Sequence, residues 1–577
     1  MHRIGFVPSP TDYNYVLSVC VKSYSFSFGE QTHSIILKLA LHFNVFVGGA
    51  LINLYGKTDR VLEAQKVFDE MPEINVFACN SLISSYSHSQ LAAVAFDIFS
   101  VMIGLGISPN QYTFSSILVA CSRIRVRETG IQIHCLLVKL GFHSNVVVWT
   151  TMIHMYASLH RLEDSRKVFN EMKERNIITW TSMVSALVQH GQPDEVMLLV
   201  RKMRQLGIGL NSVTYSTVFS SFYGLTYLNY GKQVHCQVIR EGIESNMYVV
   251  LTLMSMYSKC GSTHDFLKLF ATVSPIDQIS YNSIIASFSH LGNDQEVLTQ
   301  FTKMRRECIA MDAFTYSITL KAIGTLSALD EGKQTHAVVL KHGFASNVFV
   351  QNGLISMYSR CGLINHAKQI FFSMSAPDLV SWNSILSGCA QHGFGREAVE
   401  VFEHMRRMKI KPDHTTFLSV LTACSHGGLL QKGLGYFDLM NDLQVLPQAE
   451  HYACKVDLLG RAGQLEEAEF FIKGMPIEPG ASVYRALLSA CIVHGDVYMA
   501  RRTAHCLFTM CPCDPSTYIL LSNAFARWGL WDDKAQLREL MIGRGVIKSH
   551  PGLSQIEVKN KDHLSSVMED QLCCEVL

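Results

Sequence analysis

The 577-residue chain has almost no net charge: 49 Lys and Arg face 48 Asp and Glu, a balance of +1. A protein that grips nucleic acid by bulk charge needs a strong basic excess, so that class is excluded. Any nucleic-acid contact must rest on stacking and hydrogen bonds. Metal-ligand spacing is missing as well. None of the 24 histidines is followed two residues later by glutamate, and no Cys-x-x-Cys occurs. A zinc deaminase centre needs both, the glutamate to shuttle the proton and the cysteine pair to hold the metal. The 17 cysteines are scattered and odd in number, which argues for reduced thiols in an intracellular compartment and for small apolar core residues. Neither Cys511 with Cys513 nor the adjacent Cys573 and Cys574 has zinc-ligand spacing. No phosphate loop of Walker type and no GxSxG elbow occurs. No apolar run is long enough to span a membrane; the richest, 35–54, is broken by Lys38, His42, Asn44 and Asn53. The expectation is therefore no enzyme chemistry, no metal, no cofactor, no membrane and no small-molecule substrate.

What the chain has is repetition. GEQTH at 29–33 returns as GIQIH at 130–134, GKQVH at 231–235 and GKQTH at 332–336, a step of 101 residues each time. A fifth step lands on Gly433, where the motif has decayed to GLGYF. The same step links Tyr55, Tyr156, Tyr257 and Tyr358, and also Asn44, Asn145, Asn246 and Asn347. A fixed period kept without insertion means stacked copies of one unit, which overrides the several-domain expectation set by length. With 48% hydrophobic and 17% charged residues, the chain can bury a continuous core. The four motif histidines invite a metal or catalytic reading. Copies three repeats apart, at roughly 8–10 Å between packed helix axes, cannot share one site. A hydrogen bond on or between helices in each copy is the expectation.

The period divides into units of 35, 35 and 31 residues, each reading as two helices. In 348–378, Ile355, Met357 and Tyr358 stripe the first helix. Gly362 ends it in the left-handed position. A second helix runs through Ala367, Ile370, Phe371 and Met374, and Pro377 helps stop it. Two short antiparallel helices cannot bury both faces alone, so neighbouring pairs must stack.

VVVWTTMIHMYASLHRLEDSRKVFNEM at 146–172 and LVSWNSILSGCAQHGFGREAVEVFEHMRRMKIKPD at 379–413 resemble the pentatricopeptide repeats of plant organelle RNA-binding proteins. The 35–35–31 triplet resembles the P, L and S repeats of the PLS subclass. The resemblance implies an all-α fold, a right-handed α-solenoid of stacked helix-turn-helix repeats. After a short segment at 1–9, fourteen repeats fill 10–480: L repeats at 10–44, 111–145, 212–246, 313–347 and 414–448; S repeats at 45–75, 146–176, 247–277, 348–378 and 449–480; P repeats at 76–110, 177–211, 278–312 and 379–413. EHYACKVDLLGRAGQLEEAEFFIKGMP at 450–476 resembles the last S repeat of this subclass, and 481–548 resembles its two E motifs. PGLSQIEVKNKDHL at 551–564 resembles the start of an E+ segment, with Gln555 where tryptophan is usual, so 549–577 reads as a partial E+ segment and tail. No stretch resembles the family's DYW deaminase domain.

In this family the fifth residue of the first helix and the last residue of the repeat meet one RNA base. Two short polar side chains can tell base edges apart because each base has its own order of donors and acceptors. Carried over residue by residue, Asn80 with Asn110 resembles a pyrimidine reader, C somewhat over U. Thr150 with Asn176 and Thr181 with Asn211 resemble adenine readers. Asn282 with Asp312, Asn352 with Asp378 and Asn383 with Asp413 resemble uracil readers. Gly49 with Asn75, Leu251 with Asp277, Ala453 with Gly480 and Leu418 with Gln448 fall outside the pattern. Ser115–Asn145, Ser216–Asn246 and Ser317–Asn347 look adenine-like, yet L repeats follow the family's rule poorly. Asn or Asp at a repeat boundary also commonly caps the next helix, and for any one of them the two roles stand about level. The second residue of eleven repeats is apolar: Phe46, Phe77, Tyr112, Val147, Ile178, Val213, Tyr248, Ile279, Phe314, Phe349 and Val380. These side chains either sandwich bases, at roughly 1–3 kcal/mol per base, or pack in the core, which alone would account for half of them. Thr415 and Glu450 break the column.

The resemblance implies a site-recognition factor for C-to-U editing of organelle RNA. It would bind a single-stranded tract with its N-terminus towards the 5′ side and recruit a cytidine deaminase of DYW type and editing co-factors in trans. From the second repeat the tract reads ?-Y-n-A-A-n-?-U-n-U-U-n-?, with n for L repeats. A stabilisation, processing or splicing factor that merely occupies its tract is the first alternative; a protein-binding helical scaffold is the second. Mitochondrion is favoured over chloroplast on family frequency alone. The first repeat begins near Pro10, leaving no room for an Arg- and Ser-rich transit peptide.

Overall fold

The computed structural model describes residues 8–546 except 24, 143–144 and 275–276. The E+ reading, the end of the second E motif and Cys573 and Cys574 lie outside the described residues. Among the described residues, thirty-two α-helices follow one another with a few short 3-10 turns and no strand. The chain forms two compact units, Met1–Ala310 and Met311–Leu577. Within each unit, every first helix packs on the first helix of the next pair, and each second helix packs on its own first helix. The result in each unit is two layers, one of first helices and one of second helices. No described helix is long and apolar enough to cross a membrane.

First helices begin at Pro10, Val45, Val76, Gln111, Val146, Ile177, Ser212 and Met247, a rotation of 35, 31 and 35 residues. The hydrophobic pattern explains the stacking. In the helix Val348–Arg360, Leu354, Ile355, Met357 and Tyr358 are buried, against helices on three sides. Large rings at the fourth position bind one repeat to the next: Trp180 meets Phe169 of the preceding second helix edge-on at 4.9 Å, and Trp382 meets Phe371 likewise at 4.8 Å. Such ring pairs contribute roughly 0.5–1.5 kcal/mol beyond area burial. Ion pairs join neighbouring second helices at the surface. Arg166 meets Glu195 at 2.5 Å, Lys232 meets Asp265 at 2.8 Å and Arg502 meets Glu469 at 2.6 Å. Exposed pairs of this kind add about 0–1 kcal/mol each and act mainly as register marks.

Gly362 adopts φ +82° after the helix Val348–Arg360, the left-handed stop that its position called for. The second helix, Ile364–Ser373, ends sooner than expected. Met374 has already left helical geometry, at φ −68° and ψ 131°, and its side chain is buried. The last helical residue, Ser373, stands four before Pro377, at the carbonyl that a proline ring excludes from helical bonding.

The repeated GxQxH motif is a packing device. His33, His134, His235 and His336 each bond through Nδ1 to Tyr55, Tyr156, Tyr257 and Tyr358, at 2.7, 2.7, 2.9 and 2.9 Å. Each bond joins the second helix of an L repeat to the first helix of the next S repeat. The expected inter-helix hydrogen bond is therefore present in all four copies. Burial holds each of these imidazoles below its ordinary pKa and pushes Tyr156 up to about 12. The motif glycine marks the point of closest approach. A Cβ on Gly130 would stand 2.6 Å from Met155 Sδ, and one on Gly332 2.6 Å from Met357 Sδ. A side chain there would force the methionine to shift.

Candidate nucleic-acid interface

The last residue of each repeat is the N-cap of the next first helix. Asn110 Oδ1 accepts from the backbone N–H of Tyr112 and Thr113 at 3.0 and 3.2 Å. Asp413 Oδ1 accepts from Thr416 N–H at 2.8 Å, and Asn176, Asn211, Asp312 and Asp378 cap in the same way. The bland role is thus real at every one of these positions. It does not exhaust them, because the capping oxygen also holds the fifth residue of the preceding helix. Asn80 Nδ2 donates to Asn110 Oδ1 at 3.0 Å, Asn352 Nδ2 to Asp378 Oδ1 at 3.1 Å and Asn383 Nδ2 to Asp413 Oδ1 at 3.2 Å. The two threonine pairs meet through an intermediary. Thr150 shares a 2.8 Å bond with the hydroxyl of Thr179, which donates to Asn176 at 3.0 Å. Thr181 shares a 2.8 Å bond with Thr214, which donates to Asn211 at 2.8 Å. Asn282 lies on the helix Gln278–His290 of the first unit; Asp312, in the second unit, caps the helix Ala313–Leu326.

The intermediaries were not singled out in the sequence. The third residue of the following repeat, Thr113, Thr179, Thr214, Ser381 or Thr416, is buried, and its hydroxyl completes the cap. Thr113 and Thr416 Oγ1 also lie 2.5 and 2.6 Å from Oδ1 of Asn80 and Asn383, so each hydroxyl shares its single proton between that amide oxygen and the cap. These hydroxyls fix the amide orientation, so the fifth residue presents a set edge. Asn352 differs: its Oδ1 is buried and meets no donor. The signal was legible as a capping box, Asn or Asp followed three residues later by Ser or Thr.

Of the five L repeats, the one ending at Gln448 keeps ψ at 172°; the other four depart from this geometry. Their last residues Asn44, Asn145, Asn246 and Asn347 have ψ between 106° and 123°. At the other junctions ψ is fully extended, as at Asn176 (173°), Asn211 (174°) and Asp378 (176°). The turned caps face valine, not a hydroxyl residue, at the third position: Val47, Val148, Val249 and Val350. Asn145 Nδ2 turns back to Gln111 Oε1 at 2.6 Å. Ser115 and Ser317 bond within their own helix, to the Gln111 and Ala313 carbonyls at 2.8 and 2.7 Å. Among the described residues, no bond joins fifth and last residues in these four repeats.

The second-residue column is exposed, not buried. All eleven side chains, from Phe77 at 49% to Phe349 at 70% exposure, face solvent. Core packing therefore explains none of them. In the second unit one member of the column and one pair line a shared cavity. A cavity of about 390 Å³ is bounded by Val380, Asn383, Asp413 and Thr415, with Ser356 and Arg360 from the preceding helix. One apolar second residue thus stands beside one polar pair. Partial burial raises the Asp378 and Asp413 carboxyls, but hydrogen bonds from Ser381, Thr416, Asn352 and Asn383 outweigh it and hold both below the usual range. Both carboxylates therefore stay ionised as acceptors. Among the described residues no cluster could hold a metal ion.

Comparison with known proteins agrees with this architecture. A family model described as PPR repeat family matches 74–123, 175–224 and 377–426, and one described as PPR repeat matches 49–76, 147–177, 279–309, 352–376 and 415–445. An E motif model matches 494–557. A chloroplastic pentatricopeptide repeat-containing protein of Arabidopsis thaliana is 36% identical over 96% of this chain and 69% of its own length. A mitochondrial one from the same plant is 32% identical over 98% of this chain and 74% of its own. Among solved structures, the pentatricopeptide repeat protein PPR10 in complex with an 18-nt RNA element superposes with TM-score 0.54 at 17% identity, covering 87% of this chain and 84% of that one. The chain belongs to the pentatricopeptide repeat family and carries its E motif.

Proposed function

We propose that the chain binds single-stranded RNA in an organelle and selects its tract one base per repeat, as the recognition factor for C-to-U editing. The observation that carries this reading is the joint register of two columns. An exposed apolar side chain opens each of eleven repeats, and in the repeats 76–110, 348–378 and 379–413 a directly hydrogen-bonded polar pair accompanies it. Neither column serves the core: the first is exposed, and the second keeps an unused donor or acceptor beyond the cap. The complex of PPR10 with RNA and the organelle names of the relatives support the same reading.

The E motif favours editing over passive occupation of a tract. In this reading the pairs choose the site and the E motif recruits a deaminase of DYW type in trans. The choice between mitochondrion and chloroplast rests on family frequency, which favours the former. Sequencing organelle transcripts from plants with and without the protein tests the proposal. Loss of conversion at one or a few cytidines, four nucleotides 3′ of the base at repeat 449–480, with normal transcript ends, is the expected result. Altered ends or unspliced transcripts with editing intact would replace it by a stabilising or splicing role. Failure of the purified chain to retain any RNA would leave a protein-binding scaffold.

A further inference from the structure

The register of pairs does not stop at the last S repeat. The next first helix is Ala481–His494 and the one after it Pro515–Arg527. The fifth residue of the former is Arg485, and the N-cap of the latter is Asp514. They stand where Asn383 and Asp413 stand in their repeat, and they touch: Arg485 Nη2 donates to Asp514 Oδ2 at 3.1 Å. Arg485 is the one charged residue in the fifth-position column from Asn14 to Ile519.

The backbone explains why arginine is needed for this contact. Asp514 has ψ 106°, the turned cap of the L repeats, where a serine at the fifth position fails to reach. A guanidinium on its long stem spans that gap. Ser516 N–H and the Thr517 hydroxyl hold the same carboxylate at 3.2 and 3.0 Å, so Asp514 is a fixed anchor, with its side chain 17% exposed against 47% for Arg485. A guanidinium has five N–H donors and no acceptor. With one edge on Asp514, the others remain for a ligand that offers a pair of acceptors. In RNA that chemistry belongs to guanine O6 and N7 or to backbone phosphate oxygens. The second residues here are Ser482 and Ser516, so no apolar side chain competes for the base by stacking.

We propose that Arg485, positioned by Asp514, is a further RNA contact, donating to an acceptor pair on the nucleotide immediately 3′ of the one at repeat 449–480. This deepens the proposed function and rests on it. The test uses the full chain and synthetic RNAs that carry the tract pattern, with G, A, C or U at that nucleotide, titrated by fluorescence anisotropy at several salt concentrations. If the contact is to the base, wild type prefers G by roughly tenfold, and Arg485→Gln levels the four. If it is to phosphate, Arg485→Gln weakens all four alike and reduces the salt slope by about one. Asp514→Asn breaks the same ion pair but keeps the guanidinium, so it retains more affinity than Arg485→Gln. Equal affinity of Arg485→Gln and wild type on all four RNAs overturns the inference, as does an equal loss in both variants that follows their melting temperatures. Wild type that retains none of the RNAs overturns the proposed function itself.

Discussion

Asp413 is the residue at which capping and reading can be separated. Its Oδ1 takes three hydrogen bonds, from Thr416 N–H at 2.8 Å, Thr416 Oγ1 at 2.8 Å and Asn383 Nδ2 at 3.2 Å. The chain itself shows that asparagine can hold the same set, because Asn110 accepts from Thr113 N–H, Thr113 Oγ1 and Asn80 Nδ2 at 3.2, 3.2 and 3.0 Å. Asn and Asp also rank together as N-caps. Asp413→Asn therefore keeps the cap and loses only charge assistance, a cost of about 1 kcal/mol or less for a half-buried group. It replaces the Oδ2 acceptor by an amide donor, which turns an Asn–Asp pair into the Asn–Asn pair present at 80 and 110. Asp413→Ala removes the cap, at about 0.5–2 kcal/mol, and strands the Asn383 amide, at about 1–3 kcal/mol before discount for exposure.

The assay is a pair of titrations on each variant: urea unfolding for stability, and anisotropy with RNAs bearing U or C opposite repeat 379–413. Expected for Asp413→Asn is near wild-type stability with the preference moved from U towards C by about 1–2 kcal/mol, or five- to thirtyfold. Asp413→Ala should lose both stability and preference. Acid supplies a second check. The folded carboxyl lies below its unfolded value, so its stabilisation is present above the unfolded pKa and disappears as pH falls through the folded one. Asp413→Asn removes that component of the acid transition. An unchanged U-to-C ratio in Asp413→Asn, with affinities in both variants following stability alone, would reduce Asp413 to a helix cap and refute the reasoning.

Two glycines of the helix Leu430–Asp442 give opposite outcomes. A Cβ on Gly433 would stand 2.5 Å from Leu458 Cδ2 and 3.1 Å from Cys424 Cβ, whereas one on Gly435 meets nothing within 4 Å. Gly435→Ala should stabilise by about 0.5–1 kcal/mol through helix propensity, and Gly433→Ala should fall below it by the overpacking cost of about 1–3 kcal/mol; equal melting temperatures refute the packing account. Phe349, 70% exposed, should tolerate Phe349→Ala within about 0.5 kcal/mol of stability yet lose roughly 1–3 kcal/mol of RNA affinity, measured by the same two titrations. The half-buried His33, His134, His235 and His336 have folded pKa values below the ordinary one. Their neutral form supports the fold above the unfolded pKa, and stability is lost as pH falls below the ordinary imidazole value towards the lower folded one. A chain with all four changed to glutamine should lose that slope in melting temperature, while the carboxylate transition at lower pH persists.

The fold was legible because period and packing report the same thing. A 101-residue step carries its glycine, histidine and tyrosine columns together, and all three serve one contact between an L repeat and the next S repeat. The histidine and tyrosine columns stand 22 residues apart in every copy, so their pairing was open to inference. Burial of the second-residue column was not. Phe314 and Phe349 carry the same apolar character as Phe371 or Phe417, and hydrophobicity alone cannot tell a core ring from one held out for a base. Helix ends were less legible: the helix expected to run through Met374 stops at Ser373, four residues before Pro377.

At several junctions the geometry follows the third residue. At Thr113, Ser381 and Thr416 the hydroxyl closes a capping box, ψ of the cap stays extended, and the last residue reaches the fifth of the preceding helix. At Val148 and Val249 no such box can form, ψ turns by some 60°, and the link is absent. Past the last S repeat the division no longer holds: ψ is 171° at Gly480 before Val483, and 106° at Asp514 before Thr517. Base reading, on this view, is a by-product of how a helix is started. In the repeats 76–110, 348–378 and 379–413 the polar edge is held with the help of a hydroxyl from the successor, so on the proposed function specificity at one nucleotide depends on a residue that belongs to the next repeat. Arg485 marks the exception that fits the same logic: at a turned cap, a longer side chain restores the link that a short one loses.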